Sequence, residues 1–189
     1  MLYCRYGIVI HGGIDGDTRT IVYLEAIDNN VSAHTVLLFK DAVRRYQCPA
    51  RVRGDRGGEN VLIADWMISH SHYFNAFLVG RSTHNTRIER LWLDVRKNVI
   101  DFYKAFFMRL EEQGLKIDKL IDVYVLQYLF LPKINFELHE FVSMWNNHGL
   151  STENNITPLQ LLRIRGHLAP APVEVDPEEY GVGGRGHRR

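Results

Sequence analysis

Asp55 and Glu89 are the side chains whose type and spacing invite a chemical reading. Asp55 lies in "RVRGDRGGEN", where a short extended segment runs into an acid and then at once into two glycines and a glutamate. Glu89 follows 34 positions later, in "RSTHNTRIERLW". A carboxylate at the mouth of a strand, with backbone able to turn sharply behind it, suits a metal at the edge of a sheet. It equally suits an ordinary turn in which Gly57 is the φ-permissive residue. Two carboxylates brought together repel each other unless a cation lies between them. Oxygen ligands favour Mg²⁺ or Mn²⁺. Two such ions about 4 Å apart can activate a water or a 3′-hydroxyl and stabilise the leaving oxygen of an in-line phosphoryl displacement.

Positioning these acids requires a scaffold, and the pattern of the chain predicts one. "YGIVIHGGI" and "TIVYLEAI" are two β-branched runs joined by the Gly/Asp turn "DGDTR". A helix is expected over Ser32–Tyr46, opened by a serine cap and carrying Val36, Leu37, Phe39, Ala42 and Val43. "ARVRGD" reads as a strand after the break at Pro49, Asn60 to His70 as a helix, and "NAFLVG" as a further strand. From Asn85 onward Ile88, Trp92, Val95, Val99, Phe102 and Phe106 recur at helical spacing. On that helix Glu89 falls off the apolar stripe, in the direction of Asn85, Leu93 and Arg96. Helices are then expected over about 116–131 and 136–146, separated by Pro132. The last 23 residues, 167–189, are rich in Pro, Gly and Arg and read as a disordered tail after a domain of 1–166. The order of elements is that of an α/β domain with a mixed sheet flanked by helices and a helical C-terminal end.

Bulk composition narrows the class. With 189 residues, 46% hydrophobic and 24% charged, the chain has the make-up of one globular domain with a real core. Net charge is +1, so overall electrostatics do not announce a nucleic-acid binder. Local charge does more: Arg81, Arg87, Arg90, Arg96, Lys97, Lys104 and Arg109 face only Glu89, Asp94 and Asp101 over one stretch. That is compatible with a basic face, as it is with a solvated helix. Cys4 and Cys48 make neither a disulfide framework nor a zinc site, and a reducing intracellular setting is the expectation. No signal peptide is visible, and the apolar run Leu120 to Leu131 is too short to span a membrane. His70, His72 and His84 lie near one another in sequence, a spacing more typical of loop histidines than of zinc ligands. Trp66, Trp92 and Trp145 fall at apolar helical positions and read as core. Asn146, Asn147 and His148 read as the cap or turn of a helix end.

Three segments in order resemble a known family. "RVRGDRGGEN" is similar to the second-aspartate segment of the retroviral-type integrases and DDE transposases. "RSTHNTRIERLW" is similar to their glutamate segment, in which an Asn precedes the catalytic Glu by four positions. "FVSMWNNHGLSTENNITPLQLL" looks like their closing signature, an aromatic–Asn pair, a His and a Thr-Pro that starts the last helix. The resemblance runs from about Tyr6 to Gly166 and is to the integrase-core proteins derived from mobile elements. It implies a ribonuclease-H-like fold, DNA as partner, Mg²⁺ or Mn²⁺ as cofactor (two ions if the site is complete), and work as a homo-oligomer. It also implies a nuclear or intracellular site of action. Asp55 and Glu89 would be catalytic metal ligands. Arg81, Asn85, Arg87, Arg90, Arg96 and Lys97 would contact phosphates along the glutamate helix without reading sequence. The resemblance also suggests that the Asn146 segment packs against the core.

The family needs a third acid, supplied by the first strand of its sheet. Here "GIVIHGGIDGDTRTIVYLEA" resembles the second and third strands, so the first strand and its aspartate are expected to be missing from this stretch. Because that strand is central, its loss would leave open edges on the second and fourth strands. The competing reading makes Asp15 the first metal ligand, and the plain one makes it a hairpin-turn residue. Two functions therefore stand side by side. One is a metal-dependent DNA strand cleavage and transfer enzyme; the other is an inactive DNA-binding or protein-interaction remnant of a mobile-element integrase.

Overall fold

The computed structural model describes residues 5–28, 32–55, 57–71, 73, 75–80 and 86–166. The expected tail, Cys4, Arg81, Asn85, His72 and His84 lie outside the described residues. The chain divides into two compact units, one formed by Met1–Asn30 with Arg87–His167 and the other containing Val31–Thr86. The mix of antiparallel and parallel pairing expected of the sheet is present, carried by two separate two-stranded ladders.

In the first unit, β1 (Val9–Ile14) pairs antiparallel with β2 (Ile21–Ile27). The glycines of β1 leave room for large neighbours. A Cβ on Gly12 would stand 3.0 Å from the Trp92 ring, so the bare backbone is what lets the helix bearing Trp92 rest on the hairpin. That helix begins as α3 (Thr86–Val95), passes through a π turn at Arg96–Ile100, and continues as α4 (Asp101–Glu112). Leu91, Val95, Val99, Ile100, Tyr103 and Phe107 are its buried side chains. The expected stripe therefore fails at its end: Phe102 is exposed and Phe106 only half-buried, and Tyr103 and Phe107 take their places. The π turn is the cause, since one extra residue in the turn rotates everything after it by about 100°.

The next helix corrects a second expectation. Pro132 does not separate a pair of helices; it sits inside one, α5 (Leu120–Asn147), 28 residues long. A proline there removes one N–H and costs the helix about 3 kcal/mol in isolation. Packing on both sides of it, by Leu126 before and Ile134, Leu138 and Phe141 after, holds the helix through.

Alpha5 closes the far edge of β2 with two side-chain amides. Ala26 N–H donates to Asn135 Oδ1 (2.7 Å) and Asn135 Nδ2 donates back to the Ala26 carbonyl (2.9 Å). Asn146 repeats the arrangement on Ile21, with both bonds at 2.9 Å. Each amide thus makes the two bonds that a neighbouring strand residue would make. Eleven helical residues and five strand residues both advance about 16 Å, so the spacings match. Five is an odd interval, and alternate strand residues point to opposite edges. The register shift at Gly13/Ile14 resolves this: Val22 is the extra residue of a bulge, which turns Ile21 to the same edge as Ala26. The helix ends at Asn147 with His148 as its cap, as expected, while Asn146 packs inward as the resemblance suggests. It is buried in the core at 3% exposure.

A clasp near the start of the unit joins the chain before β1 to α4. Glu111 accepts from Arg5 Nε at 3.0 Å and from the Arg5 Nη2 and Tyr6 hydroxyl groups. The Arg5 hydrogen bond, then that of Tyr6, holds the Glu111 carboxyl below its ordinary range. Burial, with the Glu111 bond next, pushes the Tyr6 phenol up to about 12. The unit ends in α6 (Pro158–Arg165), which opens with a capping box between Thr157 and Gln160 as the Thr-Pro signature suggests.

In the second unit, α1 (Ser32–Tyr46) packs on α2 (Val61–His70), and α2 packs on β4 (Phe77–Val79), which pairs parallel with β3 (Val52–Gly54). Among the described residues each of the four strands has a ladder partner on one side only. No described helix is long and apolar enough to cross a membrane.

The shifted phase after the π turn has a measurable consequence. Phe107→Ala should cost about 3–5 kcal/mol in urea unfolding, as for a fully buried phenylalanine, and Phe102→Ala less than about 1 kcal/mol. Equal losses would contradict the phase shift.

Candidate metal centre and nucleic-acid face

Asp55 follows directly on β3 in the second unit. Its Oδ1 accepts from Gly57 N–H at 3.1 Å and from Asn60 Nδ2 at 2.9 Å. The first bond closes an Asx turn, and the second ties the acid to the residue on which α2 starts. Both bonds fall on Oδ1, so the carboxylate is oriented through one oxygen and Oδ2 carries none of them. Gly54, one residue earlier, is needed for space: a Cβ there would meet the Phe77 ring at 2.9 Å and the Asn60 amide at 3.3 Å. Gly57 is not the φ-permissive residue of the turn. Its φ of −66° and ψ of 140° are open to any amino acid. The turn is made by the Asp55 side chain, not by glycine freedom. Asn60 is the site residue that sequence reasoning missed, although Asp five positions ahead of an Asn at a helix start was its visible trace.

Glu89 belongs to the first unit, in the first turn of α3, where a carboxylate is favoured by the helix dipole. It is exposed, as are Leu93 and Arg96 in the same direction, while Leu91 and Val95 are fully buried on the opposite side. Anchoring by Leu91, Val95 and the Trp92–Gly12 contact fixes which way Glu89 faces.

Asp15, also in the first unit, is committed to its own turn. Oδ1 accepts from both the backbone N–H and the hydroxyl of Thr18, each at 2.7 Å. Asp15 N–H donates to the Thr20 carbonyl at 2.8 Å, and Arg19 takes a left-handed φ of 64°. Thr18 and Thr20 are buried, and the Thr20 hydroxyl donates to the Pro158 carbonyl at 3.0 Å. Trp145 Nε1 donates to the Arg19 carbonyl at 2.9 Å, so the turn is also tied to α5. The hairpin-turn role accounts for this carboxylate.

Carboxylate oxygens are the right chemistry for Mg²⁺ or Mn²⁺. Among the described residues, however, no group of three or more His, Cys, Asp or Glu side chains comes together as a cage. His70 stacks on Trp66 at a centroid distance of 4.4 Å, with Nδ1 2.9 Å from the Trp66 carbonyl, and is a packing residue.

Of the basic residues assigned to DNA, Arg87, Arg90, Arg96 and Lys97 are exposed on α3 and the π turn. Arg90 lies 3.5 Å from Asp94, and Arg96 donates to Asp101 at 3.2 Å. The second pair spans five positions, the separation that a π turn brings together. Arg87 and Lys97 are thus joined on the surface by two cations already shared with acids.

Strands and helices in this order make a mixed α/β fold similar to the ribonuclease-H-like integrase core. The chain belongs to the integrase core domain family, whose model matches residues 1–171. Among solved structures it is similar to the HTLV-2 integrase catalytic core domain in complex with magnesium, in its trimeric form. Sequence identity is 15%, the TM-score is 0.51, and the match covers 85% of this chain and 88% of that one. At that identity the likeness speaks to the fold. The comparison with curated proteins gives no match.

The turn role of Asp15 predicts that Asp15→Ala lowers stability by about 1–3 kcal/mol, the cost of leaving partly buried donors unpaired. Thermal unfolding should show the loss equally with and without Mn²⁺. A loss that appears only in the presence of metal would make Asp15 a ligand instead.

Proposed function

We propose that the chain is an integrase-type polynucleotidyl transferase core that cuts and joins DNA strands with Mg²⁺ or Mn²⁺, using Asp55 and Glu89 as ligands. The observation that carries this reading is the state of Asp55. Its carboxylate is oriented through Oδ1 by Gly57 N–H and the Asn60 amide, at the end of a strand, in a chain of the integrase core family. A bound divalent ion would supply Lewis-acid polarisation of the scissile phosphate. The chain's own residues do the positioning. Asn60 and the Gly57 N–H orient Asp55, and the docked helix α3 presents Glu89 on its outer side. Arg87 and Lys97 attract backbone phosphates, and Arg90 and Arg96 join them when DNA competes for their acidic partners. Magnesium in the solved HTLV-2 relative supports the choice of metal, and the trimeric form named there supports self-association. DNA as partner supports a nuclear or intracellular site of action.

A second reading has its own support. Asp15 is occupied by Thr18, and the described residues hold no cage of three ligating acids or other donors. Both facts favour a remnant that binds DNA without cutting it.

Nicking and strand transfer by the purified chain with Mn²⁺ separate the two. On the first reading Asp55→Asn and Glu89→Gln each lower the rate by more than about 100-fold while salt-sensitive DNA binding persists. A folded, DNA-binding chain without metal-dependent activity would establish the second.

A further inference from the structure

Past the π turn, the helix that presents Glu89 carries two aromatic rings that the functional reading leaves unused. Phe102 is 63% exposed and Phe106 is half-buried. Their rings are parallel, 8° apart in plane and 6.3 Å between centroids. Phe106 packs against Phe130 of α5 at 5.3 Å between ring centroids, and Lys133 sets its ammonium 5.2 Å from the centre of the Phe130 ring. Arg109 is exposed on the side of α4 that Phe102 and Phe106 share, seven positions after the first and three after the second. The π turn brings positions five apart together, as it does Arg96 and Asp101, so Lys97 stands one turn ahead of Phe102. We propose that this track binds an unpaired strand of nucleic acid, with bases stacked on Phe102 and Phe106 and phosphates held at Lys97, Arg109 and Lys133.

Rings and cations together select that occupant. Any base stacks on an aromatic face, and the phosphates of its strand follow a line of cations. In a duplex the base faces are covered by their neighbours, so only a strand without a partner can use the rings. Lys97, Arg109 and Lys133 make no ion pair with a described residue. The nearby acids Asp101, Glu111 and Glu137 are taken up by Arg96, by Arg5 and by the Tyr103 hydroxyl at 2.7 Å. Glu112 closes the track at the end of α4. A protein interface is depleted of lysine at its centre, whereas here Lys97 and Lys133 flank the rings. Lys97 is also the last cation of the face on α3 and the π turn assigned to DNA, so the track continues that face. Phe102 lies 13 positions beyond Glu89, about 20 Å along the helix, a distance that about six nucleotides of a stacked strand span. An unpaired extension of that length beside the reacting phosphate is the substrate feature that the track reads.

The inference rests on DNA as the substrate of the functional reading and adds the state of its strands. Fluorescence anisotropy of the full chain in EDTA tests it without a catalytic step. The probes are a labelled thymidine oligonucleotide of about twelve nucleotides, an abasic strand of equal length and a duplex. Phe102→Ala should weaken binding of the thymidine strand at least about 5-fold and leave the abasic strand and the duplex unchanged, while Phe102→Trp restores the affinity. Arg109→Gln should weaken the thymidine and abasic strands alike. Met108→Ala, exposed on another side of α4, should change nothing, and far-UV circular dichroism should be the same for all. A thymidine strand bound no better than the abasic one, or a Phe102→Ala effect equal on both, overturns the inference; duplex binding then leaves the functional reading to its own assay. A chain that binds neither strand nor duplex overturns the inference together with DNA as partner.

Discussion

Two asparagine side chains decide how the first unit is built. A β-hairpin has two outer edges and is marginal by itself, because the backbone groups on each edge must find partners or water. Asn135 and Asn146 supply partners for β2 at two points, and in doing so fix the position of α5 along the strand. The rest follows from that placement. Alpha5 lines the core shared with α3 and α4, its C-terminal end holds the Asp15–Thr20 turn through Trp145, and α6 then meets Thr20. With α5 in place, α3 has a bed of hairpin and helix to rest on, and Glu89 has a defined outward face.

The same physics explains which elements of the structure were legible in the sequence. Helix α1 was readable to the residue because Ser32, the apolar period and the break at Pro49 are all local signals. The strand bearing Asp55 and the first-turn position of Glu89 were readable for the same reason. The phase of α4 was not, since a π turn has no mark in a hydrophobic pattern that continues on both sides of it. Continuity through Pro132 was hidden because local propensity argues for a break and only packing from distant residues overrides it. The asparagine pairs were invisible: their partners are 109 and 125 positions away, and an amide that bonds a strand looks like any other Asn in a helix.

Asp15 and Asp55 show how similar local geometry serves different ends. Each uses Oδ1 for a side-chain turn two or three residues onward. Around Asp15 the partners are buried threonines and the turn is knitted into the core. Around Asp55 they are a backbone N–H and an amide at the start of a helix, next to a glycine that keeps the site narrow.

Metal-dependent chemistry of the proposed kind needs Asp55 and Glu89 each to hold a divalent cation. Paramagnetic broadening by Mn²⁺, read residue by residue from the amide resonances of the folded chain, addresses this directly. At low metal-to-protein ratio Mn²⁺ should broaden the amides flanking Asp55 and those of the first turn of α3, and Asp55→Asn and Glu89→Gln should each abolish the effect at its own segment. Broadening at neither segment, or effects that survive both substitutions, would contradict it.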